Sequence, residues 1–183
     1  MAHNITRSPF PNSKKIYVEG TIHPIHVAMR EIQLNPTKLS NGKMDENPPV
    51  TVYDTSGPYT DENFEINIEK GLPRIREQWI LDRNDVKILD GITSEYGKAR
   101  LADSKLDQLR FSYNHKPKVA KEGKEVTQLY YAKKGIITPE MEYIAIRENQ
   151  RIEQLDSVSK DMAFQHPGNS FGAKTPKNTI TPE

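Results

Sequence analysis

The scarcity of apolar residues limits what this chain can fold into more than any other feature of its sequence. Only 34% of its 183 residues are hydrophobic, and its mean hydropathy is -0.77. Leu, Ile, Val and Phe together make up about 22% of the chain, just above the level at which disorder is expected. Two interpretations stay open: a folded domain with polar loops and tails, or a domain that buries its remaining apolar surface against another body.

The charge of the chain is balanced, with 26 Lys and Arg against 25 Asp and Glu. This balance creates no long-range field that would attract nucleic acid or an anionic membrane. It favours a folded domain, because disordered chains usually combine low hydrophobicity with charge repulsion. No apolar run has the length of a membrane span, and no secretory signal is visible. We therefore expect a cytoplasmic protein with no nucleic-acid partner and no membrane partner.

Cysteine is absent from the chain. Disulfides, thiolate zinc sites, cysteine nucleophiles and an iron–sulfur cluster ligated by this chain alone are therefore excluded. The five histidines do not offer metal-ligand spacing either. His23 and His26 are three residues apart on a predicted strand, which places them on opposite faces. No His-Glu-x-x-His motif accompanies them, so we expect no metal site in this chain.

Alternating apolar residues predict a small, mostly antiparallel sheet. Strands are expected at residues 16–18, 25–34, 50–53, 64–68 and 126–131. The first two should form a hairpin around Gly20–His23, with a bulge near Arg30 and Glu31 where the alternation slips by one residue.

Helices near residues 73–82 and 139–156 complete the predicted α+β fold. Pro73 suits the first turn of the earlier helix. A further short helix is expected at Ala99–Leu109, after a break at Ser94–Gly97, and its apolar side chains Leu101, Leu106 and Leu109 should point inward.

The strongest local signal is the helix start at Thr138-Pro139-Glu140. Thr is a good N-cap, Pro fits the first helical position, and an acidic residue in the first turn complements the helix dipole. An apolar stripe follows at Met141, Ile144, Ala145, Ile152 and Leu155. Glu148 interrupts that stripe.

Three regions are expected along the chain: a flexible N-terminal arm at 1–15, a domain at 16–160 and a linker at 161–183. The final residues, Thr181-Pro182-Glu183, repeat the helix start of residues 138–140 without a helix after them. Either this is a chance tail, or the chain was cut inside a larger protein.

The segment Asp54–Tyr59 offers two hydroxyls and a glycine after a strand, as an anion-binding loop would. It lacks the Gly-x-x-x-x-Gly-Lys pattern and contains no basic residue. A turn closed by its Asp and hydroxyl side chains is the favoured interpretation. Ser56 and Ser170 lack a Gly-x-Ser-x-Gly elbow, so no nucleophilic serine is predicted.

Residues Lys116–Lys134 contain six lysines against two glutamates, with Tyr130 and Tyr131 among them. Such a segment suits phosphate tracking and base stacking. Since the whole chain is nearly neutral, a solvated face or a contact with an acidic surface is the favoured interpretation.

Two long strings in this chain carry a resemblance to a known family. They are NPPVTVYDTSGPYTD at 47–61 and GIITPEMEYIAIREN at 135–149. Shorter matches, in the same order along the chain, are FPNS at 10–13, KIYV at 15–18, MREI at 29–32, KGLP at 70–73, SEYG at 94–97 and QHPG at 165–168. The chain resembles the N-terminal portion of the phosphomethylpyrimidine synthases, the ThiC family.

The resemblance implies a thiamine-biosynthesis enzyme of the radical-SAM class. Such an enzyme converts 5-aminoimidazole ribotide to hydroxymethylpyrimidine phosphate with a [4Fe-4S] cluster, S-adenosylmethionine and a divalent metal, zinc. A catalytic (βα)₈ barrel follows the segment seen here, and the cluster cysteines lie near the family's C-terminus. This chain would then be the ThiC-associated N-terminal domain, with no catalytic, cofactor-binding or metal-binding residue of its own.

On this basis we expect a non-catalytic accessory domain that packs on the missing catalytic barrel or on the partner subunit of a homodimer. Arg147, Glu148 and Asn149 are the docking candidates, because Glu148 lies on an otherwise apolar stripe and needs a partner. A salt bridge at the helix edge is the alternative for Glu148. The second hypothesis is a free-standing polyanion- or protein-binding module that uses the Lys116–Lys134 face.

Overall fold

The computed structural model describes residues 12–61, 64–68, 70–110, 115–150 and 179–182. Its elements are β1 (Ser13–Glu19), β2 (His26–Ile32), β3 (Thr37–Lys38), β4 (Met44–Asp45), β5 (Val50–Tyr53), α1 (Glu77–Asp82), β6 (Val86–Ile88), α2 (Glu95–Ala102), β7 (Lys118–Ala120), α3 (Gln128–Lys133) and α4, which is helical over residues 139–150. Short 3₁₀ helices lie at Gly57–Thr60 and Ser104–Leu109. The predicted α+β class with small antiparallel sheets is confirmed.

The chain divides into two compact units. The first comprises Met1–Phe64 and Ile137–Glu183, and the second comprises Glu65–Ile136. The predicted arm at 1–15 and linker at 161–183 fall largely outside the described residues, and the predicted boundaries stay predictions. No helix among the described ranges is both long and apolar enough to cross a bilayer.

The first unit is built on an antiparallel sheet in the order β1-β2-β5. The predicted hairpin is confirmed, but the predicted bulge is wrong, because pairing runs unbroken from Ser13 opposite Ile32 to Glu19 opposite His26. The regular register places Glu31 opposite Lys14, and these two side chains form an ion pair at 2.9 Å.

The central strand β2 and the residue before it supply three of the buried apolar side chains of the first unit. Ile25, Val27 and Met29 are all buried, as expected for alternate residues that share one face of a strand. Ala145 on α4 is the other buried apolar residue of this unit within the described ranges. The short β3–β4 pair lies between β2 and β5 along the chain.

The strand predicted at 64–68 is wrong. The described residues there form no strand, and Ile68 is 80% exposed. Asn67 accounts for the difference, since its carbonyl accepts from the N–H of Gly71 at 3.1 Å and its side chain accepts from the N–H of Lys70 at 3.0 Å. These local bonds form a turn that competes with extended pairing.

The second unit contains the β6–β7 pair, with Val86 opposite Ala120. The helix predicted near 73–82 is confirmed only in its second half, because α1 begins at Glu77. The strand predicted at 126–131 is wrong, since α3 starts at Gln128. The side chain of Thr127 caps it by accepting from the N–H of Tyr130 at 3.2 Å.

The helix predicted at Ala99–Leu109 is two elements, α2 and the following 3₁₀ helix. Ser94, which was expected to lie in a break, is the N-cap of α2 and accepts from the N–H of Gly97 at 3.1 Å. Leu101 and Leu109 are exposed, so the prediction that they point inward is wrong.

Candidate functional site

The carboxylate of Glu142 ties α4 to the turn between β1 and β2. Its Oε1 accepts from the backbone N–H groups of Thr21 at 2.6 Å and Ile22 at 2.7 Å. Its Oε2 accepts from the N–H of His23 at 2.8 Å and lies 2.7 Å from Nδ1 of the same residue. Glu142 is only 2% exposed, so one buried side chain serves as the main acceptor for the whole turn.

The lack of a Cβ at Gly20 lets the turn and the carboxylate of Glu142 approach this residue closely. A Cβ at Gly20 would clash with the carbonyl of His23 and lie 2.6 Å from Cγ1 of Ile25. It would also lie 3.1 Å from Oε1 of Glu142. Glycine is therefore required here by space, and the N–H of Gly20 closes the turn by donating to Ile25 at 2.8 Å.

The pKa of Glu142 lies below its ordinary value although the group is buried. Burial disfavours the charged carboxylate, but hydrogen bonds from the N–H of Ile22, from the His23 side chain and from the N–H groups of His23 and Thr21 outweigh burial. The folded chain therefore holds Glu142 as an anion.

Asp54 organises a second buried polar cluster, at the end of β5. Its Oδ1 accepts from the N–H of Ser56 at 2.7 Å and also from the Ser56 hydroxyl. Its Oδ2 accepts from Nη2 of Arg30 at 3.2 Å and lies 3.8 Å from Nζ of Lys15. The favoured interpretation of this segment, a turn closed by Asp and hydroxyl side chains, is confirmed.

The two cations reach Asp54 because of the strand register, which places Lys15 on β1 directly opposite Arg30 on β2. Burial raises the pKa of Asp54, while the hydrogen bonds from Ser56 and the charges of Lys15 and Arg30 lower it, and the net result is a pKa below the ordinary value. Asp54 is therefore an anion between two cations, and the turn already contains its own negative charge.

The same turn is fastened to β1 by two further bonds. Lys15 donates to the carbonyl of Gly57, and the hydroxyl of Tyr17 donates to the carboxylate of Asp61. Burial and then the hydrogen bond and charge of Asp61 raise the pKa of Tyr17 to about 12.

We expect Tyr17→Phe to lower the free energy of unfolding by about 0.5–1 kcal/mol, because it removes one hydrogen bond at an exposed position. Urea unfolding followed by circular dichroism measures the change. Tyr59→Phe, at another exposed tyrosine of the same unit, is the matched control and should change stability by less than about 0.5 kcal/mol. Equal losses in both variants would show that the bond to Asp61 does not stabilise the turn.

Two tyrosines join α4 to β5. The rings of Tyr53 and Tyr143 meet edge to face with centroids 6.4 Å apart, and their hydroxyls are 3.1 Å apart. Burial, followed by the hydrogen bond and the charge interaction with Tyr53, raises the pKa of Tyr143. The guanidinium of Arg147 lies over the ring of Tyr53 at 5.4 Å from its centroid.

The three residues predicted for docking have different surroundings. Nε and Nη2 of Arg147 donate to Oε1 of Glu148 at 2.9 and 2.7 Å. Glu148 therefore forms a partly exposed salt bridge, which is the alternative to a docking role that the sequence left open. Asn149 uses both ends of its amide on Ile180, accepting from its N–H at 2.7 Å and donating to its carbonyl at 2.8 Å. We define the docking face as Tyr53, Tyr143, Arg147 and Glu148.

The buried face of α4 differs from the predicted apolar stripe. Glu140, Glu142 and Ala145 are buried together with the N-cap residue Thr138, whereas Ile144 is exposed. Ile152 and Leu155 lie outside the described residues. Sequence analysis missed Glu142 as an anchor, although its spacing from Thr138 and Ala145 places the three on one helical face.

His23, His26 and several lysines of the segment Lys116–Lys134 contact other residues of the chain. His23 contacts Glu142, and His26 pairs with Glu19 at 2.6 Å. Within the described ranges, no three His, Asp or Glu side chains converge as a metal site would require.

In the lysine-rich segment, Lys118 pairs with Glu77 and Lys124 lies 3.7 Å from Asp85. Lys121 donates to the side chain of Asn84 at 2.5 Å. Lys134 also donates to the hydroxyl of Tyr130, so four of the six lysines in this segment are engaged within the second unit.

Part of the chain matches a protein-family model. Residues 9–87 match the model of the ThiC-associated domain. The matched stretch contains the β1–β2 hairpin, strand β5 and the Asp54 turn, whereas α4 lies beyond it. Residues 9–87, less than half of the chain, are thus similar to a ThiC-associated domain.

Proposed function

We propose that this chain is a non-catalytic accessory domain of a ThiC-family phosphomethylpyrimidine synthase, and that it docks on the catalytic barrel or on a partner subunit. The ThiC-associated match over residues 9–87 carries the proposal. By resemblance, the enzyme makes hydroxymethylpyrimidine phosphate from 5-aminoimidazole ribotide by radical-SAM chemistry. The resemblance places substrate binding and chemistry on the barrel.

The sequence does not fit a [4Fe-4S] cluster, and the described residues do not fit a zinc site. A [4Fe-4S] cluster is held by cysteine thiolates, and the sequence contains none. Zinc needs three or four converging ligands, which the described residues do not bring together. The proposal therefore assigns the cluster, S-adenosylmethionine and zinc to another part of the enzyme.

Exposed apolar side chains of the second unit support a docking role. The following are more than half exposed: Ile68, Leu72, Ile75, Ile88, Tyr96, Leu109 and Leu129. The accessory role predicts that a partner covers side chains of this kind. Tyr131 is the buried apolar residue of this unit among those described, so the unit has little core of its own.

The docking face of the first unit has the composition of an interaction surface. Tyr and Arg are enriched at protein interfaces, where they contribute much of the binding energy. Arg147 is already oriented by the ring of Tyr53 and by Glu148, so binding would cost little side-chain entropy.

The division of labour is tested by measuring activity. We expect the complete synthase to form the pyrimidine phosphate and the 183-residue chain alone to form none under the same reducing conditions with S-adenosylmethionine. Turnover by the 183-residue chain alone would overturn the proposed non-catalytic role.

We expect Arg147→Glu to weaken binding to the separately expressed catalytic barrel at least about tenfold, because it reverses a charge on the docking face. Isothermal titration calorimetry measures the affinity, after circular dichroism has shown that the variant is folded. Lys43→Glu makes the same charge change in the exposed β3–β4 turn and should bind like the parent chain. Equal weakening by both variants would argue against the docking face.

A further inference from the structure

A cavity in the second unit has a strongly basic lining. It has a volume of about 400 Å³ and is formed by two segments, one at the start of α1 and one leading into β7. Its lining residues are Arg74, Arg76, Glu77, Ile80 and residues 115–118. No sequence pattern predicts that these two segments lie side by side, and the proposed docking role does not use the cavity.

The two walls of the cavity are held in place by internal bonds. Lys118 forms an ion pair with Glu77, which joins the β7 side to α1. The carbonyl of Pro117 accepts from the N–H of Leu89 at 2.9 Å, which extends the β6–β7 pairing to the edge of the cavity. The cavity is therefore formed before any ligand arrives, as most small-molecule sites are.

The charges at the cavity favour an anion. The carboxylate of Glu77 faces the cavity, but Lys118 neutralises it. Arg74 and Lys116 then leave an excess of positive charge at the lining. Guanidinium groups match the geometry of phosphate oxygens, and lysine adds a compact charge.

The remaining lining residues favour an organic anion over an inorganic anion such as free phosphate. Ile80 and Pro117 supply apolar surface beside the cationic groups. The volume of about 400 Å³ exceeds what a single phosphate group needs and falls in the range of small-ligand pockets. We propose that this cavity binds the phosphate group of a small phosphate monoester, with Arg74 and Lys116 on the phosphate and Ile80 and Pro117 against the organic part.

The chain has a built-in reporter for this site. Trp79, its single tryptophan, lies on α1 between the lining residues Glu77 and Ile80. Ligand entry should change the environment of the indole, so tryptophan fluorescence of the 183-residue chain follows binding directly. The probes are ribose 5-phosphate, inorganic phosphate, uncharged ribose and a hexaglutamate peptide, all at matched ionic strength.

We expect ribose 5-phosphate to bind more tightly than inorganic phosphate, and ribose to show no saturable binding. The double variant Arg74→Ser with Lys116→Ser should weaken binding of ribose 5-phosphate at least about tenfold, because it removes two exposed cations from the lining. Lys98→Ser with Lys105→Ser removes the same charge elsewhere in the second unit and should leave the affinity unchanged. Arg74 and Lys116 are both exposed. The single variant Lys116→Glu is a second test and should also weaken binding of ribose 5-phosphate.

Three results would overturn the proposal. The first is no saturable fluorescence change with ribose 5-phosphate up to about 10 mM, well above the affinity of a useful site. The second is equal affinity in the lining variants and the control variant. The third is lining-dependent binding of hexaglutamate without binding of ribose 5-phosphate, which would identify a surface for an acidic protein segment. Because the assay needs no catalytic barrel, it is independent of the outcome of the docking experiments.

Discussion

Glu142→Gln should lower the free energy of unfolding by about 2–4 kcal/mol, because it removes the acceptor that the β1–β2 turn depends on. Glutamine keeps the size of the side chain but has one oxygen in place of two. Its amide group would face backbone N–H donors, and a buried donor left without an acceptor costs about 1–3 kcal/mol.

The measurement is urea unfolding at neutral pH, followed by circular dichroism. Glu148→Gln is the matched control, six residues along the same helix, where the side chain is 45% exposed and paired with Arg147. It should change stability by less than about 0.5 kcal/mol. If the two variants lost the same small amount, the carboxylate of Glu142 would not be the anchor that its geometry indicates.

Glu142→Gln should also change the pH dependence of stability. Glu142 and Asp54 have lowered pKa values in the folded chain, so their stabilising effect is present above the ordinary carboxylate pKa values of about 4. This stabilising effect is lost as the pH falls through the pKa values that the two carboxyl groups have in the folded chain. The unfolding free energy should therefore fall on acidification below about pH 4, and Glu142→Gln should flatten that fall.

Met29→Ala is expected to cost about 2–5 kcal/mol of stability, the range for a large apolar residue truncated in a core. Met29 is 0% exposed and lies in the central strand, opposite Ile16 on β1 and Tyr53 on β5. In a unit with so few buried apolar residues, neighbouring side chains have little freedom to close the cavity. Such a loss is a large fraction of the total stability of a small domain.

Thermal and urea unfolding of Met29→Ala and Met44→Ala give the comparison. Met44 is 58% exposed on β4, and its truncation should cost less than about 0.5 kcal/mol. Similar losses at the two methionines would mean that β2 does not form the core of the first unit.

Local sequence signals were sufficient for part of this fold. The alternation of Ile25, Val27 and Met29 predicted a strand with one buried face, and all three side chains are buried. The start signal at Thr138 predicted α4, and the N–H of Met141 does donate to the Thr138 hydroxyl at 3.3 Å. Both signals depend on neighbouring residues, which the sequence shows directly.

Other local patterns were outweighed by hydrogen bonds that alternation does not reveal. Phe64, Ile66 and Ile68 alternate like a strand, but the turn at Asn67 prevents pairing. Val126–Tyr131 is apolar at four of its six residues, but so short a segment does not distinguish a strand from a helix capped by Thr127.

The candidate site was harder to predict because its main contacts are distant in sequence. Glu142 is bonded to the backbone of Thr21, 121 residues earlier, and backbone donors have no sequence signature. Glu148 attracted attention because it interrupts a predicted apolar stripe, yet its partner is the adjacent Arg147. The buried acid that organises this helix is Glu142, in a first turn where acidic residues are ordinary.

The most direct test of the accessory role is sedimentation velocity of the 183-residue chain mixed with the separately expressed catalytic barrel of a ThiC-family synthase. The docking proposal predicts a faster-sedimenting complex at micromolar concentrations, and Arg147→Glu should shift the mixture toward the free components. Independent sedimentation of the two proteins at concentrations up to about 100 μM, where even a weak interface would be populated, would contradict the proposal.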